Sequence, residues 1–125
     1  MEKSCAGFTL IELMVVMAII GLLLSLSVPR YFHHVDRAKE SVLRQNLAQI
    51  RDAIDKYFAD NDRYPDSLEV LQHKKYLRKV PLDPVTGQIN TWIIIGPDKK
   101  ELGELFDVKS GAQGRSSDGS AYDSW

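Results

Sequence analysis

The feature that most limits what this chain can fold into is the apolar run from Phe8 to Val28, 21 residues in which Glu12 is the only ionisable side chain. At about 1.5 Å per residue, a helix of that length crosses a hydrocarbon core of roughly 30 Å. The run therefore reads as a membrane-spanning helix. Glu12 lies one turn inside it, where an unpaired charge costs less than the roughly 2.5 to 3.5 kcal/mol it costs at mid-span. The acid must snorkel to the interface or meet a cation. No Lys or Arg follows within helical reach, and the nearest cations in the chain are Lys3 and whatever amino terminus the mature chain carries.

Lys3, a short polar leader ending in Gly7, then Phe8-Thr9-Leu10-Ile11-Glu12 and a long apolar helix resemble the signature of type IV pilins and type II secretion pseudopilins. The resemblance implies that a prepilin peptidase cuts between Gly7 and Phe8 and methylates the new amine of Phe8. Glu12 then becomes the fifth residue of the mature chain, and Pro29 falls where that family loosens its helix. A freed α-amine, with a reference pKa of about 7.7 to 8, is largely cationic at neutral pH, and methylation keeps the charge. Glu12 of one subunit is thus expected to pair with the Phe8 amine of its neighbour, because two charges that are each costly in lipid cost less together. The competing reading is that Glu12 only snorkels.

The 96 residues after Pro29 suffice for one small domain and not for two. With 16 basic and 17 acidic residues, and no basic stripe interleaved with aromatics, nucleic-acid binding is not expected. The single cysteine, Cys5, lies in the leader and offers no disulfide to the domain. It also precedes the apolar run, whereas a lipoprotein cysteine follows one. A removable secretory signal has a shorter apolar region and a small-x-small cleavage site, and Ser25-Leu26-Ser27-Val28-Pro29 is a poor one. Charge does not orient the span, since Lys3 precedes it and Arg30, Arg37 and Lys39 follow. The resemblance implies a cytoplasmic N-terminus.

The expected organisation is a leader over 1–7, a membrane and assembly helix over 8–29, and a periplasmic domain over 30–125. Apolar residues recur at Phe32, Val35, Ala38, Val42, Leu47, Ile50, Ile54, Tyr57 and Phe58. Asp36, Arg37, Lys39, Glu40, Arg44, Gln45, Arg51, Asp52 and Asp55 fall mostly on the other face, the pattern of an amphipathic helix. Joined to the span, it makes a spine of roughly 75 Å, too long for a small domain to cover. Such a spine has to be covered by lipid or by other copies. His33 and His34 are neighbours, so they face different ways and form no metal pair; with Tyr31 and Phe32 they suit the headgroup level.

Asp60 to Pro65 is rich in turn formers and ends the spine. Asp66 or Ser67 is expected to cap a short helix over Leu68–Gln72. Tyr76 and Leu77 are apolar anchors in a basic run. Leu77 to Pro84 reads Leu-x-Lys-x-Pro-x-Asp-Pro, which resembles the connector of the major secretion pseudopilins. Thr91–Ile95 is the clearest strand, Gly96 to Lys100 its turn, and Glu104–Val108 its antiparallel return. The fold class is therefore α+β and pilin-like: one long N-terminal helix packed by a short helix and a small antiparallel sheet.

Ser110 to Trp125 is loop by composition, with Tyr122 and Trp125 folding back as an apolar plug. The resemblance to major pseudopilins implies a calcium ion in this loop, with Asp118 and Asp123 as carboxylate ligands and Ser116, Ser117 or backbone carbonyls completing the shell. The competing reading is a turn-rich loop pinned by Trp125. No motif for phosphate cradling, zinc hydrolysis or thiol chemistry is present, so an enzyme is not expected. The expected role is a structural pseudopilin subunit in the bacterial inner membrane, single-pass with its domain in the periplasm. Its implied partners are further copies through the N-terminal helices, the prepilin peptidase, other pseudopilins, the inner-membrane assembly platform and membrane lipid. The alternatives are a type IV pilin of a surface fibre, serving adhesion, motility or extracellular electron transfer, and a membrane-anchored binding domain that never polymerises.

Overall fold

A computed structural model describes residues 5–125, so Lys3 and most of the leader lie outside the described residues. The chain divides into a unit ending at Val35 and a unit from Asp36 to Trp125. Helix α1 spans Leu10–Asn61 and is continuous through Pro29. Proline lacks an amide hydrogen, so the carbonyl of Ser25 loses its helical donor. The Ser25 hydroxyl donates one turn back, to the Gly21 carbonyl at 2.8 Å. In the N-terminal unit the large apolar side chains from Leu10 to Val28 are 46 to 76% exposed, so no described residue covers them. An 18-residue window of mean hydropathy 2.5 makes α1 long and apolar enough to cross a membrane.

The unit from Asp36 onward has a core built on Leu43, Leu47, Ile50, Ala53 and Ile54 of α1. These positions recur every three or four residues and line one face. The expected stripe is corrected in its first half: Phe32, Ala38 and Val42 are exposed, and Leu43 is fully buried. One residue is about 100° around a helix, and the row through Leu47, Ile50 and Ile54 extends back to 43, not 42. Asp62 ends the helix in a left-handed conformation, with φ of 54°. Helix α2 (Leu68–His73) is capped by Ser67, whose hydroxyl accepts from the Val70 amide at 3.4 Å, and it buries Leu68 and Leu71. Leu77 is buried, and Tyr76 meets Tyr57 edge-on at 5.3 Å, so both anchors of the basic run hold.

The sheet has two strands, β1 (Ile93–Ile95) and β2 (Asp107–Lys109), antiparallel with Ile94 opposite Val108. Both are shorter than their sequence patterns. Trp92 leaves the strand to enter the core, where its Nε1 donates to the Pro81 carbonyl at 2.8 Å. The connection is also longer than a turn and includes a short 3-10 helix over Lys100–Leu102. Gly103 follows it with φ of 123°, and a Cβ there would run into the backbone carbonyl of Tyr64. Only glycine fits that crossing.

The connector after Leu77 is organised by Asp83, which is fully buried. Its Oδ1 accepts from the amides of Val85 at 2.8 Å and Thr86 at 3.2 Å, and its Oδ2 accepts from the Ser110 hydroxyl. A buried carboxylate holds its place only with such donors. Asp83→Ala strands a buried hydroxyl and two amides, and unfolding of the detergent-solubilised chain in urea is expected to show a loss on the order of 3 kcal/mol.

Candidate functional site

Two regions carry the candidate functional residues: the start of α1 and the C-terminal loop. Thr9 and Glu12 form a reciprocal cap at the start of the helix. The Thr9 amide donates to Glu12 Oε2 at 2.8 Å, and the Glu12 amide donates to Thr9 Oγ1 at 3.2 Å. This Thr-x-x-Glu capping box satisfies two amides that the first turn otherwise leaves without acceptors. It also aims the Glu12 carboxylate back toward Phe8. Sequence reading of Glu12 missed the cap, although the three-residue spacing from Thr9 signals it. Phe8 is 94% exposed. At Gly7 a Cβ would meet nothing within 4 Å and the backbone is not left-handed, so the fold itself does not require glycine there.

The C-terminal loop is latched to α1 by charged residues that sequence reading placed on a solvated face. Glu40 Oε1 accepts from the Ser117 amide at 2.7 Å and from the Tyr122 hydroxyl at 3.3 Å, and Glu40 Oε2 accepts from the Ser117 hydroxyl at 2.5 Å. Arg44 pairs with Asp118 at 2.9 Å and lies 4.1 Å from the ring centre of Trp125. Arg51 pairs with Asp107 at 2.8 Å and donates to the backbone oxygens of Val108 at 3.0 Å and Trp125 at 2.7 Å. Tyr122 is buried and meets Trp125 edge-on at 5.2 Å, so the expected apolar plug is present. The loop partners lie more than 50 residues away in sequence, so no local pattern announces these contacts.

The latch shifts two carboxyl groups. Burial pushes Glu40 up, but the hydroxyl and amide of Ser117 and the hydroxyl of Tyr122 outweigh it and hold the group below its ordinary value. For Asp118 the hydroxyl of Ser116 acts most strongly, followed by the hydroxyl and amide of Ser120, with Arg44 adding to them, and the carboxyl lies well below the usual range.

A family model described as the prokaryotic N-terminal methylation motif matches residues 3–28, which include Gly7, Phe8 and Glu12. The type II secretion system core protein G of Pseudomonas aeruginosa is 34% identical over 130 residues, covering 91% of this chain and 88% of that protein. The core protein G of Klebsiella michiganensis is 30% identical over 129 residues, covering 90% and 87%. This chain belongs to the type II secretion system core protein G family. The type IV major pilin protein PilA of Myxococcus xanthus is 43% identical over 60 residues, 48% of this chain and 27% of that protein. No solved structure matches the chain.

Within this core protein G the structure keeps the two expected calcium carboxylates in different settings. Asp118 Oδ1 accepts from the Ser120 amide at 2.9 Å, the Ser120 hydroxyl at 2.5 Å and the Ser116 hydroxyl, while Oδ2 accepts from Arg44. Asp123 lines a cleft with Gly111, Ala112, Arg115 and Ala121, and Asp118 does not. Among the described residues no three His, Cys, Asp or Glu side chains converge on a point that could hold a metal ion. Calcium takes six to eight oxygens, from carboxylates, carbonyls and water, and here both oxygens of Asp118 already accept bonds from the chain's own donors.

Because both latch carboxyls titrate lower in the folded chain than in the unfolded one, they stabilise it above the ordinary carboxylate range and cease to as pH falls through their lowered values. The melting temperature of wild type is expected to exceed that of the Glu40→Gln/Asp118→Asn variant by a constant margin at neutral pH, and the margin to close below about pH 4.

Proposed function

We propose that this core protein G is a structural pseudopilin: cut between Gly7 and Phe8, methylated on the Phe8 amine, held in the inner membrane with its domain in the periplasm, and polymerised into a periplasmic pseudopilus for type II secretion. The observation that carries the reading is a single one. The apolar stretch of α1 up to Val28, which no described residue covers, opens with an acid whose carboxylate is held at its N-terminal end. In lipid that carboxylate is costly without a cation, and the methylated amine of a neighbouring Phe8 supplies one.

The other roles follow from the same parts. Gly7, which the fold does not need, serves the peptidase, whose active site must approach the backbone closely. Pro29 loosens α1 where it leaves the membrane. The partners are further copies through α1, the prepilin peptidase, the other pseudopilins and the assembly platform, and the role is structural, not catalytic.

The capping box lets two functions of Glu12 be separated. Glu12→Gln keeps a capping side chain but no charge, whereas Glu12→Ala loses both. Both variants are expected to insert and to be cleaved, and both to lower polymer yield by at least about tenfold in a sedimentation assay. Polymer at wild-type yield from Glu12→Gln would refute pairing and leave the acid with capping alone. Mass spectrometry of the native N-terminus is expected to find Phe8 first, one methyl heavier. In a deletion strain, exoproteins retained in the periplasm with surface fibres intact support a secretion pseudopilus, and the reverse supports a surface pilin.

A further inference from the structure

The C-terminal loop is closed around a positive charge, and that charge belongs to the chain. Asp118 accepts three bonds from Ser116 and Ser120 on Oδ1 and one from Arg44 on Oδ2. Arg44 completes the closure from α1, its guanidinium facing Trp125 at 4.1 Å. Trp125 is itself tied down at both ends, its Nε1 donating to the Ser120 hydroxyl at 2.7 Å and its backbone oxygen accepting from Arg51 at 2.7 Å. Ser120 therefore touches Asp118 and Trp125 at once, and Arg44 bridges the same two residues from the other side.

We propose that Arg44 is the built-in cation of the C-terminal loop, holding Asp118 and Trp125 together where a divalent ion would otherwise be needed, so that the loop stays closed without metal. Arginine suits the task better than any other side chain. Its charge persists at every accessible pH, its planar fork bonds the carboxylate, and its flat face stacks on the indole. A calcium ion on Asp118 would have to displace that guanidinium and strip the carboxylate of its hydroxyl donors, and five or more further oxygens would still have to be found. The Arg44–Asp118 pair is half exposed on both sides. A pair of that kind adds little to global stability beyond what Glu40 and the serine donors of Asp118 contribute, so the share of Arg44 is read in the local order of the loop. The inference does not depend on whether the chain polymerises.

The test is amide hydrogen exchange, read by mass spectrometry on the full chain in detergent, in EDTA and in millimolar calcium chloride. Several loop amides report closure directly, among them Ser116, bonded to the Ser120 carbonyl at 2.8 Å, and Ser117, bonded to Glu40. For wild type, exchange over 111–125 is expected to be the same in both buffers. For Arg44→Gln in EDTA it is expected to rise roughly tenfold over 116–125 while the core segment 43–54 stays as slow as wild type, which shows that the variant is folded. If Arg44→Gln disturbs the core segment, Asp118→Asn, which removes the charge that Arg44 meets, gives the same reading. Calcium that slows loop exchange in wild type overturns the proposal, because a divalent ion then holds the loop. Loop exchange in Arg44→Gln as slow as in wild type, in EDTA, overturns it as well, because Arg44 is then not the cation.

Discussion

Apolar helical surface has to be kept from water, and helix α1 meets that demand differently in the two units of the chain. Beyond Asp36 the row through Leu43, Leu47, Ile50 and Ile54 is covered by the chain's own later residues, among them Leu71, Leu77, Trp92, Leu105 and Val108. Each such side chain contributes about 1.5 to 3 kcal/mol on burial. From Leu10 to Val28 no described residue covers the corresponding side chains. That stretch is long and apolar enough to cross a membrane.

The short strands of this domain are stable only because of that helical row. A two-stranded sheet is marginal in water, and β1 and β2 have three residues each. Val108 of β2 and Leu105 ahead of it turn onto α1, and Arg51 of α1 binds Asp107 and the Val108 carbonyl. The helix thus supplies both the apolar floor and the polar clamp. Around its edge Glu40 and Arg44 do the same for a segment with no regular structure beyond one 3-10 turn. Order in the tail comes from side chains of α1 together with local backbone bonds, among them Ser116 to Ser120 and the Arg115–Ala121 bridge.

Glu12 is the one acid in the apolar stretch, and the local geometry gives it a task. Its carboxylate closes the first turn of α1 by accepting from the Thr9 amide. That bond places the negative charge at the helix start, where the dipole favours it.

Much of this was legible in the amino acids. The length of the apolar run, the lone acid within it, the Gly-Phe junction, the turn cluster after Phe58, the Ser67 cap, the Tyr76 and Leu77 anchors and the antiparallel pairing of Ile93–Ile95 all rest on local chemistry or short periodicity. Misreadings arose where a neighbour decided. Val42 and Leu43 are both apolar, and only packing distinguishes them. Trp92 looks like a strand residue until Pro81 offers its indole an acceptor. Asp83 has no role that local sequence assigns, and its partner Ser110 lies 27 residues on.

By itself the sequence determined that the chain has a membrane-length helix with a charge near its start, because hydropathy and spacing are properties of neighbours along the chain. Only the tertiary structure decided what the charges of α1 do. Glu40, Arg44 and Arg51 are indistinguishable in sequence from solvated surface residues, and their partners Ser117, Asp118 and Trp125 come within hydrogen-bonding distance only after the core has closed. The meaning of a charge depends on what stands opposite it, and chain folding sets that across tens of residues.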